Sequence, residues 1–378
     1  MTAKLREAAG TLIVAGLGGT ELTGLERAWL RLIRPGGIIL FKRNIVDAAQ
    51  TRALLDEAAS LSAPYLVLCV DVEGGTVNRL RDALAPIPSA QAVGAAMRTR
   101  KKPALAREHG ALIARAVKAF GFNTTLAPVV DLGLPEAAEV LGSRTAGTAA
   151  SEAIAYAAEF LAGLAAHGVA GCGKHFPGLG GAKGDTHFVT PAIGRTARQI
   201  WSDDLAPYRS LHAAMPMVMT NHAAYPATPG GEKPASSSAY WIAAMLRRRI
   251  GYRGIILSDD LEMGGILKFM SVEEAAVAAI RAGSDLIEIC HSAELILRSY
   301  ESLLRETERS AAFRALLLER AHSVERKRRS LYAAGIPRPL TAKQFETLRT
   351  AIVRFTEMVA ATAADAVAPR AASPAETS

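Results

Sequence analysis

The sequence contains little cysteine and no long apolar run. Its three cysteines, Cys69, Cys172 and Cys290, are far apart, and no CxxC pair occurs. This excludes a disulfide framework and a clustered zinc site. No run reaches the roughly 18 apolar residues that a membrane span requires. The N-terminal segment also lacks the small-residue cleavage site of a signal peptide. We therefore expect a cytoplasmic protein that does not bind a membrane.

Aromatic residues are scarce as well, at 6% of the chain, and they are not interleaved with the basic clusters at 98–102, 247–249 and 326–329. These clusters are typical of solvent-exposed helix faces, and no nucleic-acid-binding module accompanies them. We therefore expect no nucleic-acid partner. The 44 Lys and Arg residues exceed the 36 Asp and Glu residues, which gives a net charge of +8. Such an excess is compatible with an acidic ligand but carries no information about the fold.

The composition itself indicates a large folded core. Of the 378 residues, 50% are apolar and 21% are charged, which excludes global disorder, collagen and a coiled coil. The length allows two or three domains of ordinary size. It equally allows one α/β barrel, because such barrels span about 250 to 400 residues.

Eight short β-rich runs alternate with amphipathic helical segments. Most of these runs are apolar without interruption and end in a polar residue, a pattern typical of parallel strands buried on both faces. The candidate strands are 11–17, 36–41, 65–71, 124–131, 168–175, 217–222, 254–260 and 285–290. Helices are predicted at 25–33, 107–121 and 151–168, where apolar residues recur every three or four positions.

This alternation predicts an α/β fold consisting of a single-domain (β/α)8 TIM-type barrel over residues 5–335. An open doubly wound sheet is the alternative, although the glycines at 15–24 fit a dinucleotide-binding motif poorly. Residues 336–378 are predicted to form a C-terminal helix, within 340–363, followed by a disordered tail. In a barrel, the polar residues at the strand ends converge on one face. These residues are Asp71, Asp131, Lys174, His175, Asn221, His222, Asp259 and Asp260.

The most informative segment, residues 174–187, follows a predicted strand and is rich in glycine. Asp185 and His187 are two positions apart in it. A carboxylate at that spacing can accept a hydrogen bond from one imidazole nitrogen and leave the other free for proton transfer. On spacing alone, a surface loop with unrelated Asp and His residues remains an alternative.

Further pairs of charged residues follow other predicted strands. Asp259 and Asp260 end one strand, and alternation along a strand predicts that only one of them faces the barrel axis. The same pair is also compatible with capping the next helix. Asp71 is followed eight residues later by Arg79, and Arg144 follows Asp131. These groups are able to hold sugar hydroxyls or to form structural ion pairs.

Taken together, these segments resemble the glycoside hydrolase family 3 β-N-acetylglucosaminidases. The family's KHFPGHG motif with its following D-S-H appears as KHFPGLG at 174–180 with DTH at 185–187, and SDDLxM appears at 258–263. The D-x-E-G-G-x-V-x-R pattern appears at 71–79, and GGIILFKRN at 36–44 resembles the family's GGVILFxRN. The resemblance extends from about residue 10 to 335.

The resemblance implies a retaining enzyme that removes terminal N-acetylglucosamine from peptidoglycan fragments of the GlcNAc-1,6-anhydro-MurNAc-peptide type. By similarity, Asp259 is the nucleophile, His187 is the general acid and base, and Asp185 orients His187. The sugar would be held by Asp71, Arg79, Arg144, Lys174 and His175, whereas Asp260 and Glu262 would be structural. No metal or organic cofactor is implied. We expect a small saccharide or muropeptide substrate, and we expect a monomer.

The chain departs from the family pattern at three positions. Leu179 replaces the second histidine of PGHG, Thr186 replaces serine, and Val72 replaces a common glutamine. None of these changes removes a predicted catalytic group, so we expect activity. The alternatives are a family 3 β-glucosidase, an N-acetylglucosaminide phosphorylase and a non-catalytic sugar-binding barrel.

Overall fold

A computed structural model describes residues 2–183 and 190–367 of the chain. The strands are β1 Ile13–Gly16, β2 Gly37–Leu40, β3 Val67–Val70, β4 Val72–Gly74, β5 Val77–Asn78, β6 Thr124–Thr125, β7 Ala170–Phe176, β8 Met217–Thr220, β9 Ile255–Asp260 and β10 Leu286–Ile289. Eight of them form a closed barrel in the order β1-β10-β9-β8-β7-β6-β3-β2, and all neighbouring pairs are parallel. A short antiparallel hairpin, β4–β5, follows β3.

Helices surround this barrel, and π-helical segments cover 200–204 and 240–249. The helices are α1 Ala3–Thr11, α2 Gly24–Ile33, α3 Ala48–Ser60, α4 Ala90–Thr99, α5 Ala104–Ala119, α6 Ala138–Leu141, α7 Ala150–Ala166, α8 Ala197–Gln199, α9 Ala206–Leu211, α10 Gly264–Leu267, α11 Val272–Ala282, α12 Ala293–Arg309, α13 Ala311–Tyr332 and α14 Ala342–Val367. The predicted α/β barrel is confirmed, and the open doubly wound sheet is excluded. Each of the eight candidate strands overlaps one barrel strand.

The barrel strands are buried because helices cover them outside and side chains fill them inside. All seven residues of β7 are buried, including Lys174 and His175 at its carboxyl end. Within β7, Gly173 packs closely against Met215, since a Cβ at this position would lie 2.6 Å from the sulfur of Met215. The apolar runs of the sequence therefore form one continuous core, from which the polar strand ends emerge on one face.

The helix α14 packs against α4 and α5 on the outside of the barrel. Its buried face includes Leu348, Ile352 and Phe355. The Phe355 ring stacks on the His109 imidazole at a centroid distance of 6.0 Å. Residues 368–378, which include most of the predicted disordered tail, lie outside the described residues. Within residues 2–183 and 190–367, no helix combines the length and the apolar character needed to cross a bilayer.

Candidate active site

A polar cavity of about 170 Å³ opens at the carboxyl ends of the barrel strands, the face on which TIM barrels place their active sites. Six of the eight sequence-predicted site residues line this cavity: Asp71, Arg79, Arg144, Lys174, His175 and Asp259. The other two, Asp185 and His187, lie outside the described residues. The order of strands places β9, which carries Asp259, directly across the barrel from β3, which precedes Asp71.

Lys174 connects two carboxylates at the cavity wall. Its Nζ lies 2.8 Å from Oδ1 of Asp71 and 2.7 Å from Oε1 of Glu73, and all three groups are nearly buried. Burial alone would lower the pKa of Lys174, but Asp71 and Glu73 raise it above its usual range. Burial alone would likewise raise the pKa of Asp71, but Lys174 and Arg79 hold it below its usual range. The three groups are therefore charged at neutral pH.

Arg144 completes this charge network. Its Nε donates to Oε2 of Glu73 at 2.9 Å, and its Nη2 donates to Oε1 at 2.8 Å, in a two-point geometry. The pKa of Glu73 is held far below its usual range, because Arg144 and Lys174 outweigh the effect of burial. Glu73 therefore holds Lys174 and Arg144 in place, and both of these cations line the cavity.

Asp131 fixes the orientation of His175. One oxygen of Asp131 accepts from the backbone N–H of His175 at 3.1 Å and from its Nδ1 at 2.7 Å, and the other accepts from the backbone of Leu179 at 2.8 Å. Arg144 Nη2 donates to Nε2 of His175 at 3.2 Å. Because a guanidinium only donates, this contact requires the tautomer with its hydrogen on Nδ1.

Arg79 lies at the outer part of the cavity. Its Nη2 is 3.8 Å from Oδ2 of Asp71, which is longer than a hydrogen bond, and its side chain is 35% exposed. The guanidinium lies 5.9 Å from the centroid of the Phe41 ring. Phe41 in turn stacks on the imidazole of His291 at 5.3 Å. Arg79, Phe41 and His291 thus form a rim that offers both charge and flat apolar surface to a ligand.

Asp259 and Asp260 both line the cavity, although strict alternation along the strand predicts only one. The reason is a register shift. Leu286 pairs with Leu257, but Glu288 pairs with Asp260, so β9 carries one extra residue between these positions. Asp260 also accepts from the backbone N–H of Glu262 at 3.1 Å. Burial raises the pKa of Asp260 to about 7, and the carboxylates of Glu262 and Asp259 reinforce the shift.

The structure also assigns places to the remaining polar strand ends. Glu262 accepts from the backbone N–H groups of His291 and Ser292, and so it holds the turn after β10. Asn221 donates to the backbone oxygen of His175 at 3.0 Å, and His222 lies 2.9 Å from the backbone oxygen of Asp260. Neither Asn221 nor His222 lines the cavity, so both support residues that do.

Among the aromatic and charged residues of this cavity, Phe41, His291 and Glu288 were not predicted as site residues from the sequence. Glu288 is the one that a sequence signal marks, because it is a charged residue inside the apolar run of β10. Apolar groups, among them those of Ile39, Leu126 and Met219, also contribute to the lining. Leu179, which stands where the resembled motif has histidine, also borders the cavity. Within the ranges 2–183 and 190–367, no cluster of His, Cys, Asp and Glu is arranged to hold a metal ion.

A charge-lined cavity at the carboxyl ends of the strands, with Asp259 opposite Asp71, is the arrangement of a TIM-barrel enzyme site. A family model described as the glycosyl hydrolase family 3 N-terminal domain matches residues 5–317. The β-hexosaminidase of Idiomarina loihiensis is 34% identical over 321 residues, which cover 84% of this chain and 96% of that protein. The β-hexosaminidase of Chromobacterium violaceum is 38% identical over 286 residues, which cover 75% and 79%.

Solved structures agree with these relatives. A family 3 β-N-acetylglucosaminidase from a Paenibacillus species superposes with a TM-score of 0.81 at 31% identity, covering 94% of this chain and 69% of that one. NagZ from Neisseria gonorrhoeae, solved with N-trifluoroacetyl-D-glucosamine, gives 0.75 at 28% identity and covers 92% and 97%. The chain belongs to glycosyl hydrolase family 3. Its relatives place it among the β-N-acetylhexosaminidases of that family, which confirms the predicted class of enzyme.

Proposed function

We propose that this protein is a retaining exo-β-N-acetylglucosaminidase that uses Asp259 as its nucleophile. The observation that carries the proposal is the position of Asp259 across a small cavity from the cluster of Asp71, Lys174 and Arg144. The cavity volume of about 170 Å³ is below the roughly 300–1,000 Å³ of sites for drug-sized ligands. A volume of this size supports binding of one terminal sugar rather than a stretch of polymer.

The charge network supports sugar binding for two reasons. Asp71 presents a carboxylate that accepts from hydroxyl groups, whereas Lys174, Arg144 and Arg79 donate to sugar oxygens. Because Glu73 and Asp131 hold Arg144 and His175 in place, these donors are positioned before the sugar arrives. A preorganised site of this kind favours binding of a single sugar in one orientation.

The proposed reaction has two steps. In the first, Asp259 attacks the anomeric carbon as His187 protonates the leaving oxygen, so that a glycosyl–aspartate ester forms. In the second, His187 removes a proton from water, whose oxygen attacks the anomeric carbon and releases Asp259. Asp185 orients His187 throughout. An imidazole suits this role because its usual pKa of about 6.5 allows both proton transfers near neutral pH.

The proposed substrates are peptidoglycan fragments of the GlcNAc-1,6-anhydro-MurNAc-peptide type, in the cytoplasm. The carboxylates of their peptide part are complementary to the net charge of +8. Basic residues at the rim of the cavity would attract these carboxylates more directly than the net charge of the whole protein does. Arg79 and Arg43 are near the cavity mouth, and the Arg43 guanidinium lies 4.7 Å from the centroid of the Phe41 ring.

The direct test is to trap the intermediate with a 5-fluoro-N-acetylglucosaminyl fluoride and to locate it by peptide mass spectrometry. We expect the peptide that contains Asp259 to gain one glycosyl group, with fragment ions that exclude Asp260. The absence of any adduct, or its location on Asp260, would contradict the assignment. Asp259→Ala serves as the matched control, because it should remain unlabelled while it keeps the same fold.

Substrate class and acceptor are tested separately. We expect p-nitrophenyl β-N-acetylglucosaminide to be hydrolysed with a higher kcat/KM than the corresponding glucoside. Analysis of the products in chloride and in phosphate buffer then distinguishes hydrolysis from phosphorolysis, since only a phosphorylase forms the sugar 1-phosphate. Preference for the glucoside would contradict the proposed sugar specificity. Formation of the sugar 1-phosphate would show that the enzyme is a phosphorylase and not a hydrolase.

A further inference from the structure

Glu288 occupies an unusual position at the cavity. It lies in β10, in an otherwise apolar run, and only 2% of its surface is exposed. It nevertheless lines the cavity, and its Oε1 has no hydrogen-bond partner among residues 2–183 and 190–367. A buried polar atom without a partner costs free energy, so packing alone does not account for a glutamate here.

The surroundings of Glu288 are mainly acidic. Asp259, Asp71 and Asp260 face it, and the nearby cation Lys174 is already bound between Asp71 and Glu73. The charge of Glu288 also acts on three nearby thiols, since it contributes to the raised pKa values of Cys69, Cys172 and Cys290. Burial and then the carboxylate of Asp259 raise the pKa of Glu288 well above its usual range. Burial therefore favours the protonated form of Glu288, a carboxylic acid with one O–H donor and one acceptor.

The strand β9, which pairs with β10, offers few hydrogen-bond donors to a ligand. Arg79, Arg144 and Lys174 belong to the part of the barrel around β3, β6 and β7, whereas β9 contributes the carboxylates of Asp259 and Asp260. Among the described residues on this side of the cavity, the groups able to donate to a sugar oxygen are Glu288 and Asp260 in their protonated forms, the thiol of Cys290 and the rim residue His291. A protonated Glu288 supplies a donor beside Asp259 without adding negative charge there.

We propose that Glu288 is a sugar-binding residue whose carboxyl group donates a hydrogen bond to an oxygen of the N-acetylglucosaminyl group in the cavity. This inference rests on the proposed function for the identity of the sugar. In the ligand-free protein Oε1 of Glu288 has no partner among the described residues, and a hydrogen bond to the sugar engages the carboxyl group from the cavity. The unfavourable burial of Glu288 is thus a feature of ligand recognition, and such local conflicts between packing and polarity are expected at functional sites.

The test compares Glu288→Leu with Glu288→Gln. Leu matches the apolar surroundings but removes the donor, so we expect a higher Tm without ligand and a 10- to 100-fold lower kcat/KM for p-nitrophenyl β-N-acetylglucosaminide, roughly the effect of one lost hydrogen bond to a ligand. Gln keeps a donor and an acceptor, so we expect kcat/KM within about 3-fold of the wild type. Ile287→Leu is the control, because this buried neighbour in β10 does not line the cavity.

Calorimetric titration with N-acetylglucosamine gives a second readout that is independent of turnover. We expect the Leu variant to weaken binding in proportion to its loss of kcat/KM. Unchanged binding and activity in the Leu variant would overturn the proposal. So would a lower Tm together with unchanged binding, which would indicate a structural role, or a loss in the Gln variant equal to that in the Leu variant.

The two proposals fail in different ways. If the wild type binds N-acetylglucosamine but hydrolyses no β-N-acetylglucosaminide, the proposed function is wrong, while the effect of Glu288→Leu on binding still tests the role of Glu288. If the wild type is active and the Leu variant is equally active, only the role of Glu288 is wrong. If the wild type does not bind N-acetylglucosamine, the proposal for Glu288 is overturned.

Discussion

Arg144 and Glu73 form a two-point ion pair at the wall of the cavity, with N···O distances of 2.9 and 2.8 Å. Glu73 is 3% exposed and also contacts Lys174 at 2.7 Å. The same guanidinium reaches His175 at 3.2 Å. The buried carboxylate of Glu73 therefore positions two of the cations that line the cavity, Lys174 and Arg144. Through Arg144 it also contributes to the position of His175.

Loss of this carboxylate should be strongly destabilising. Glu73→Ala leaves the buried Arg144 without its carboxylate partner, so we expect the free energy of unfolding to fall by about 3–5 kcal/mol. The control is Glu57→Ala, which breaks the exposed pair of Glu57 with Arg27 and should have little effect. Urea denaturation of both variants measures the difference. Equal losses of stability would show that burial does not set the strength of the Arg144–Glu73 pair.

The two neighbouring aspartates should differ in their effect on turnover. Asp259→Ala removes the proposed nucleophile, and we expect kcat to fall by about 10⁴-fold or more. Asp260→Ala also removes a carboxylate from the cavity lining, but we expect kcat to fall by less than about 10-fold. Steady-state kinetics with p-nitrophenyl β-N-acetylglucosaminide compares the two. An inactive Asp260 variant beside an active Asp259 variant would reverse the assignment.

Asp260 should make stability depend on pH. Because burial raises its pKa to about 7, the folded state binds this proton more tightly than the unfolded state does. Stability is therefore lost as the pH rises from about 4 to about 7. Asp260→Asn removes this titration, so its stability relative to the wild type should increase between pH 5 and pH 8, by on the order of 2–4 kcal/mol. Urea denaturation at several pH values measures this difference. A difference in stability between the two proteins that does not change with pH would contradict the raised pKa of Asp260.

The role of His187 is testable through the leaving group. His187→Ala removes the proposed acid and base, and we expect turnover to fall by roughly 10²- to 10⁴-fold. The loss should be smaller for p-nitrophenolate, which needs little protonation, than for a sugar leaving group. Added azide should restore part of the activity with the p-nitrophenyl substrate and yield the β-glycosyl azide. A loss that is equal for both leaving groups and is not rescued would exclude His187 as the acid and base.

Much of the fold followed from local patterns. The run 36–41 predicts a strand observed at Gly37–Leu40, and the helix predicted at 151–168 is observed at Ala150–Ala166. Such elements are predictable because periodicity of apolar residues is a local property of the chain. The convergence of Asp71, Lys174 and Asp259 on one face followed from the barrel, since parallel strands share a carboxyl end.

Other features of the site depend on contacts between distant segments. The extra residue in β9 is visible only in its pairing with β10, and it places Asp260 beside Asp259 at the cavity. Glu73 was part of a recognised motif, but its role requires Arg144, which is 71 positions away in the sequence. The roles of Asp185 and His187 stay predictions from the sequence, because both residues lie outside the described ranges.

The sequence by itself determined the barrel, its strands and the identity of the charged groups at the strand ends, because hydrophobic periodicity and ordered motifs are written along the chain. Only the tertiary structure decided how these charges are paired and in which direction their pKa values shift. Lys174 is held charged between two carboxylates, whereas burial and the carboxylate of Asp259 raise the pKa of Glu288. The physical reason is that burial and the field of neighbouring charges set a pKa, and both arise only when distant strands meet.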